Sequence, residues 1–126
     1  MYNNYKNYEL VYHITSKKNA DSILKNNFDI SKTKQFAYGY GISFTTDKNH
    51  LNIYNKINKR IYNYVVVSII NYDKLKYNPS SSEKTKLGYS KPRHFKIPKD
   101  YDGFYYNYMR VIEDINLIHP MIIYKF

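Results

Sequence analysis

The sequence predicts a single α+β domain, and three observations lead to this class. The mostly β-branched run at residues 65–70 is typical of a central strand that is covered on both faces. Residues 10–15 and 42–45 have the character of further strands, whereas 16–27 and 47–59 show apolar residues at helical spacing behind a capping side chain. A chain of 126 residues can bury one substantial core, and it is short for two domains.

The N-terminal half begins with a strand at 10–15, followed by a helix that packs on the sheet. Thr15 or Ser16 can cap the start of this helix. Asn26 and Asn27 can end it by adopting the left-handed conformation that glycine usually provides. Residues 28–30 can form another short strand, and residues 1–9 remain a polar arm or a frayed first strand. The apolar stripe of the helix consists of Ala20, Ile23 and Leu24.

The stretch from Ala37 to Tyr54 predicts a loop, a strand, a turn and a helix, in that order. Its two glycines allow a tight turn or a close approach of the backbone to a ligand, and Asp47 is a natural N-cap. The helix continues to about Lys59 and places Tyr54 on the face that also carries His50. An aromatic ring directed toward a glycine-backed strand can hold a flat ligand.

The C-terminal half contains the central strand, a long loop and a closing group of strands. The central strand extends over 61–72, and residues 73–75 turn the chain away from it. Residues 77–99 are predicted to be a loop because they contain three prolines, a run of three serines and little periodicity. The closing elements are a turn with a short strand at 101–105 and two strands at 109–113 and 121–126.

The formal charge of +10 makes a phosphate-rich partner one interpretation of this chain. Between Lys74 and Lys99 eight lysines and arginines are accompanied by one acid, Glu83, so this segment carries about +7. A nucleic-acid contact would therefore use this basic loop. A solvated loop is the competing interpretation, and the abundance of Lys, Asn, Ile and Tyr also fits an A/T-rich coding sequence.

Several classes of protein are disfavoured by what the sequence lacks. It has no cysteine, no charge-led apolar segment at its N-terminus and no apolar run near the ~20 residues of a membrane helix, so we expect a soluble, intracellular, cytoplasmic monomer. We expect no metal centre, because the histidines are scattered and no cysteine accompanies them. No phosphate-cradling Gly-x-x-x-x-Gly-Lys-Ser/Thr sequence occurs. The histidines are His13, His50, His94 and His119.

Three segments in the N-terminal half resemble, in order, the catalytic domain of the diphtheria-toxin-like, poly(ADP-ribose)-polymerase-like ADP-ribosyltransferases. The family pattern is Tyr-His-Gly-Thr, a helix that closes on Asn-Gly-Phe, and Gly-Lys-Gly-Ile-Tyr-Phe. The segments here are Val11-Tyr12-His13-Ile14-Thr15, Ile23-Leu24-Lys25-Asn26-Asn27-Phe28 and Gly39-Tyr40-Gly41-Ile42-Ser43-Phe44. Tyr54 stands where the family carries a tyrosine on its next helix, and residues 101–103 and 111–120 are similar to the family's final strands.

The resemblance covers most of residues 10–126 and implies both a fold and a ligand. The fold would be compact, with two packed, mainly antiparallel sheets and two or three short helices. The ligand would be NAD, used as a substrate, with its nicotinamide stacked on Tyr54, where a flat cationic ring gains burial and cation–π attraction. His13 would bond a ribose hydroxyl, and the backbone of Ile14 would hold the carboxamide. The other residues of the implied binding site are Thr15, Tyr40, Gly41 and Ser43.

Two departures from the family pattern bear on catalysis. Ser43 replaces the tyrosine that forms the second aromatic wall of the nicotinamide pocket. Met109 stands at the position of the glutamate that contacts the nicotinamide ribose and stabilises its developing positive charge. The catalytic set implied by the resemblance is then His13, Tyr54 and Glu113, although Glu113 lies about 13 Å beyond Met109 along the same strand face.

These departures argue against polymer synthesis and leave three functions open. The first is a mono-ADP-ribosyltransferase that cleaves NAD and transfers ADP-ribose to a protein or nucleic-acid acceptor. The second is a catalytically silent domain of the same fold that binds NAD, ADP-ribose or RNA. The third is an RNA 2′-phosphotransferase of related fold, for which the necessary arginine and histidine residues cannot be placed.

Overall fold

The computed structural model describes residues 7–32, 41–52, 62–89 and 96–126. Within these ranges the chain forms seven strands and two α-helices. The strands are β1 (Asn7–Thr15), β2 (Ile42–Thr45), β3 (Tyr64–Tyr72), β4 (Leu75–Tyr77), β5 (Gly103–Tyr106), β6 (Met109–Ile112) and β7 (Ile118–Lys125). The helices are α1 (Lys17–Asn26) and α2 (Ser81–Lys86), and short 3-10 turns occupy Ile30–Lys32, Lys48–His50 and Ile115–Leu117.

All seven strands belong to one sheet with the order β4-β5-β6-β2-β1-β3-β7. Neighbouring strands are antiparallel except for β4 and β5, which are parallel. The predicted α+β class is therefore confirmed. The structure does not show the two packed sheets that the family resemblance implies. The pairing of β1 with β2 joins all seven described strands into a single sheet.

The two edges of β1 are paired very differently. On one side β1 pairs with β3 along its full length, from Asn7 to Thr15. On the other side a single pair, Tyr12 opposite Thr45, joins β1 to β2 within the described residues. We call this second edge the β1–β2 seam. One backbone group at this seam, the Ser43 carbonyl, is bonded by a side chain, the His13 ring at 3.1 Å.

Helix α1 begins and ends as the sequence predicts. The hydroxyl of Ser16 accepts a hydrogen bond from the backbone N–H of Asn19 at 3.2 Å and caps the first turn. Asn27 adopts a left-handed backbone with φ of 69° and ends the helix. Its side-chain amide donates to the carbonyl oxygens of Ile115 and Ile118, both at 3.1 Å. The helix end is thereby tied to the start of β7.

Two clusters of buried side chains lie on opposite faces of the sheet. The larger cluster contains Ala20 of α1 together with Val11 of β1, and the smaller cluster contains Ile14. Strand β3 contributes Val66 to the larger cluster and Val65 to the smaller one, because successive side chains of a strand point to opposite faces. The prediction of a central strand covered on both faces is confirmed.

Three predictions in the N-terminal half are corrected. Residues 28–30 do not form a strand, because the Asp29 carboxylate accepts bonds from the backbone N–H and the hydroxyl of Ser31 and thereby bends the chain into a 3-10 turn. Strand β1 begins at Asn7, earlier than the sequence suggests, since its whole length finds a partner in β3. Leu24, assigned to the buried stripe of α1, is 42% exposed.

Two predictions in the C-terminal half are also corrected. Leu75 does not belong to a turn but begins β4, which pairs in parallel with β5. The predicted loop at 77–99 contains α2, in which Ser80 is the N-cap and accepts a bond from the backbone N–H of Glu83. None of the helices in the described ranges is long and apolar enough to cross a membrane.

Candidate functional site

Three positions that the family resemblance singles out, Ile14, Ser43 and Met109, lie on one face of three neighbouring strands together with Tyr12 and Thr45. Thr45 of β2 pairs with Tyr12 of β1 on one side and with Met109 of β6 on the other. Directly opposed residues of antiparallel strands direct their side chains to the same face. Ile14 and Ser43 lie two residues along from Tyr12 and Thr45, so their side chains share that face. We call these five residues the candidate site, which lies across the β1–β2 seam.

The candidate site has a buried floor and a half-buried surface. Ile14 and Thr45 are buried, and the other members are partly accessible. The Thr45 hydroxyl already accepts a bond from the Asp47 backbone N–H and donates to the Asp47 carbonyl, both at 3.1 Å. This contact holds the turn after β2, where Asp47 forms the predicted N-cap. Small-molecule sites usually combine such an apolar floor with few polar groups.

Gly41 controls how closely β2 approaches β6. Its φ of 146° lies in the range that favours glycine. A Cβ atom at this position would lie 2.8 Å from Cγ1 of Val111 and 3.1 Å from the carbonyl oxygen of Ile112. The absence of a side chain therefore lets β2 and β6 pair, and Ser43 stands opposite Val111 as a result. From the sequence, we expect a glycine here to allow a tight turn or a close approach of the backbone to a ligand. In the structure, Gly41 lets the backbone of β2 lie close to β6.

His13 lies on the opposite face of β1 from the candidate site. Its ring contacts the rings of Phe28 and Phe44 edge-on, with centroids 5.2 and 5.9 Å away. Its Nδ1 lies 3.1 Å from the carbonyl oxygen of Ser43 across the seam. Burial lowers the pKa of His13 below its usual value, and the Ser43 carbonyl opposes this less strongly. The neutral ring therefore donates from Nδ1 to the carbonyl and keeps Nε2 as an acceptor.

A charged clamp forms a second link across the seam and connects β6 to β1. The Arg110 guanidinium donates to both carboxylate oxygens of Glu9, from Nε at 2.8 Å and from a terminal nitrogen at 3.2 Å. Its other terminal nitrogen donates to the carbonyl oxygens of Asn107 and Met109. The Tyr72 hydroxyl of β3 donates to Glu9 at 2.6 Å. One carboxylate thus connects three strands.

The clamp shifts the pKa values of its members in opposite directions. Burial raises the pKa of Glu9, but the bonds from Arg110 and Tyr72 outweigh it and hold this pKa below its usual value. Burial, with help from Glu9, raises the pKa of Tyr72 to about 12. Sequence reasoning missed this group because its members are far apart in the chain. The rarity of glutamate was the one available signal, since Glu9 is one of three in the sequence.

Glu113 lies at the end of β6 opposite to Met109. It follows the last residue of the strand and is exposed. There it lines a shallow hollow of about 220 Å³ together with Asp102 and Asp114. Met109, in contrast, stands beside Thr45. The structure therefore does not bring Glu113 to the candidate site.

The remaining predicted site residues are placed as follows. Thr15 is buried at the end of β1, where it pairs with Tyr64. Tyr40 and Tyr54 lie outside the described residues, as does the part of the predicted helix beyond residue 52. In the described ranges no group of three or more His, Cys, Asp or Glu residues could hold a metal ion.

No protein-family model matches the chain, and no match is found among curated proteins. The resemblance to ADP-ribosyltransferases therefore depends on the sequence segments alone.

Proposed function

We propose that the protein is an ADP-ribosyltransferase-like domain that binds NAD at the candidate site and transfers single ADP-ribose units to a protein or nucleic-acid acceptor. The observation that carries this proposal is the assembly of Ile14, Ser43 and Met109 on one face of β1, β2 and β6. The family pattern assigns all three positions to the nicotinamide end of NAD. They are distant in the chain, so their juxtaposition is a property of the fold.

The β1–β2 seam suits the recognition of a carboxamide. Such a group needs one donor and one acceptor, and a backbone N–H and C=O on an incompletely paired strand edge can supply both. Ile14 lies on this edge next to Ser43, and its branched side chain restricts the space that a glycine would leave open. His13 holds the two strands at this point through the Ser43 carbonyl. Because its ring lies on the opposite face of β1, against Phe28 and Phe44, His13 is a positioning residue for Ser43 in this proposal and not a ligand contact.

The proposed reaction breaks the bond between C1′ of the ribose and the nicotinamide nitrogen. Nicotinamide leaves as a neutral molecule with the electron pair of that bond, and positive charge develops on the ribose. A carboxylate of the acceptor attacks C1′ and forms the new bond without a proton transfer; a hydroxyl acceptor would release its proton to solvent. The Met109 side chain offers an apolar wall but no negative charge, so the acceptor must provide the stabilisation that a glutamate gives elsewhere.

A catalytically silent NAD or ADP-ribose binder is the second candidate function. It is favoured by the side chain beside Thr45, which is Met109 rather than a carboxylate. Glu113 is the nearest glutamate along the strand and lies at the other end of β6, exposed. The two candidates share the binding step and differ in turnover.

The decisive experiment measures binding and transfer separately. Calorimetry with NAD reports binding, and incubation with NAD labelled in its adenylate half and a cell lysate reports transfer to protein or nucleic acid. Binding with transfer supports the first function, and binding without transfer supports the silent binder. Tyr54→Ala should weaken NAD binding and the control Tyr124→Ala should not; equal NAD affinity in the two variants would contradict the proposed stacking. If the unchanged protein does not bind NAD, both functions are rejected.

Two gain-of-function variants test the geometry of the candidate site. Ser43→Tyr restores the second aromatic wall and should tighten nicotinamide binding about fivefold, whereas Ser22→Tyr on the exposed side of α1 should not. Met109→Glu restores the carboxylate and should raise the rate of nicotinamide release, by as much as about 10²-fold. Met121→Glu, on the exposed part of β7, is its control. Equal effects of the variants and their controls would locate the ligand elsewhere.

A further inference from the structure

A groove of about 450 Å³ separates the edge strand β4 from α2 and the residues after this helix. Tyr77 of β4 forms one side of it, Leu87 and Tyr89 form the other, and Pro79 lies between them. Tyr77, Leu87 and Tyr89 are 44%, 64% and 38% exposed, so the groove presents apolar and aromatic surface to solvent. Lys76 and Glu83 complete its lining.

The Tyr77 ring is held in place by contacts on two sides. Its hydroxyl donates to a carboxylate oxygen of Glu83 at 3.2 Å. Its ring lies 5.8 and 6.0 Å from the ring centroids of Tyr105 and Tyr106. The other carboxylate oxygen of Glu83 accepts a bond from the Ser80 hydroxyl at 3.0 Å. The one acid in the groove lining therefore orients an aromatic ring, with both of its oxygens engaged.

Lys76 lines this groove, and Lys74 precedes it by two residues at the same end of the edge strand. Nζ of Lys74 and Nζ of Lys76 lie 4.7 and 5.6 Å from the centroid of the same Tyr101 ring. Cation–π attraction to one ring holds these like charges near each other, at the edge of the sheet. Lys86 of α2 is exposed, whereas Lys84 is buried and does not present its charge at the surface.

We propose that this groove binds single-stranded nucleic acid, with bases stacked on Tyr77 and Tyr89 and phosphates held by Lys74 and Lys76. Exposed aromatic rings beside a line of cations are the usual surface for single strands, because every base has a face that can stack and every nucleotide carries a phosphate. A duplex keeps its bases stacked inside and cannot use the rings. The groove lies at the β4 edge of the sheet, and this proposal is independent of NAD binding at the seam.

The first test is fluorescence anisotropy of the full chain with labelled strands of about 12 nucleotides. Oligo-uridylate, oligo-thymidylate and a duplex of the same length are compared over a range of salt concentrations. We expect both single strands to bind more tightly than the duplex, with log affinity falling linearly as log salt rises. Equal affinity for the duplex, or equal binding of an acidic polypeptide such as polyglutamate, would overturn the proposal.

Substitution of the rings tests stacking directly. Tyr77→Leu and Tyr89→Leu keep apolar bulk but remove the aromatic faces, and each should weaken single-strand binding about 5- to 100-fold. The matched controls are Tyr8→Leu and Tyr124→Leu, which change exposed tyrosines of β1 and β7. Because Tyr77 also packs on β5, the melting temperature of Tyr77→Leu is compared with that of the unchanged protein, to detect a loss of folding. Tyr89 lies outside the strands, so Tyr89→Leu tests stacking without this complication. Undiminished affinity in both ring variants would overturn the proposal.

Substitution of the lysines tests the phosphate contacts. The double variant Lys74→Gln with Lys76→Gln should lower the slope of log affinity against log salt by about 1.4, since each phosphate contact to a single strand contributes about 0.7. The control Lys17→Gln with Lys125→Gln removes the same charge from other parts of the surface and should leave the slope closer to that of the unchanged protein. NAD binding by these variants should equal that of the unchanged protein. An equal loss in slope from both pairs would mean that the charge acts without a defined site.

Discussion

The two edges of β1 perform different tasks. Toward β3, β1 is paired along its whole length by a backbone ladder, which side chains do not need to assist. Toward β2, it shares one residue pair within the described part of the chain, and side chains of β1 and β6 make further connections. His13 reaches the Ser43 carbonyl, and Arg110 reaches Glu9. The seam is therefore held by polar side chains on one face while its other face carries the candidate site.

This difference shows how an incompletely paired edge can serve binding without opening the sheet. A full ladder would occupy the backbone groups that a ligand could use, and an unpaired edge would leave buried polar groups unsatisfied. Side-chain links from one face, such as those of His13 and Arg110, hold the strands together without a full ladder between them. We infer that the integrity of the candidate site depends on the links behind it, and the following substitutions test this.

The largest loss of stability is expected for Arg110→Met. The change leaves the Glu9 carboxylate, 26% exposed at its side chain, without its cationic partner and should lower the free energy of unfolding by about 3 kcal/mol. Lys17→Met, which breaks the exposed pair with Asp21, should cost about 0.5 kcal/mol or less. Urea unfolding followed by circular dichroism measures both. Similar losses for the two variants would mean that the clamp does not hold the seam.

A somewhat smaller loss is expected for Gly41→Ala. The new Cβ atom would press on Val111 and on the backbone of Ile112, so β2 must move away from β6, at a cost of about 2 kcal/mol. Gly88→Ala is the matched control, because Gly88 also has a positive φ, of 93°, but nothing lies within 4 Å of the added atom. The difference between the two free energies of unfolding isolates the close approach of the strands. An equal cost would assign the effect to backbone strain alone.

A moderate, pH-dependent effect is expected from His13. Its pKa is lower in the folded protein than in the unfolded chain, so the unfolded chain binds the proton first as pH falls. Stability should be independent of this group above pH of about 6.5 and should fall below it, by at most about 1.4 kcal/mol per pH unit. Urea titrations of the unchanged protein and of His13→Leu at several pH values measure this slope, and the control is His50→Gln. If the free energy of unfolding of His13→Leu still falls below pH of about 6.5, another group causes the pH dependence.

The last pH-dependent effect is expected from Tyr72 and is confined to alkaline solution. Its raised pKa means that the stability it contributes is present below about pH 10 and is lost as the pH rises through about 12. Titration of tyrosinate absorbance should include a component with a midpoint near 12 that disappears in Tyr72→Phe. Glu9→Gln should lower this midpoint, because the carboxylate favours the neutral phenol. An unchanged midpoint in Glu9→Gln would mean that burial alone shifts the group.

Part of the fold and of the candidate site was accessible from sequence, and the reason lies in the range of the interactions. Ser16, Asn27 and Asp47 act on backbone groups within a few residues, so their capping roles were predicted correctly. Strand β4 was missed because its three residues carry no pattern of their own and become a strand by pairing with β5. Helix α2 was missed because its cap lies among prolines and serines that usually indicate a loop.

The sequence by itself determined the strands with strong patterns, the ends of α1 and the absence of a carboxylate at position 109. These follow from local spacing and from residue identity. Tertiary structure alone decided that β1 is fully paired on one side and barely on the other, and that Glu9, Tyr72 and Arg110 meet. It also decided that His13 supports the seam from the face opposite to Ile14 and Ser43. The physical reason is that strand pairing and charge pairing depend on which distant segments become neighbours, and no local pattern encodes that choice.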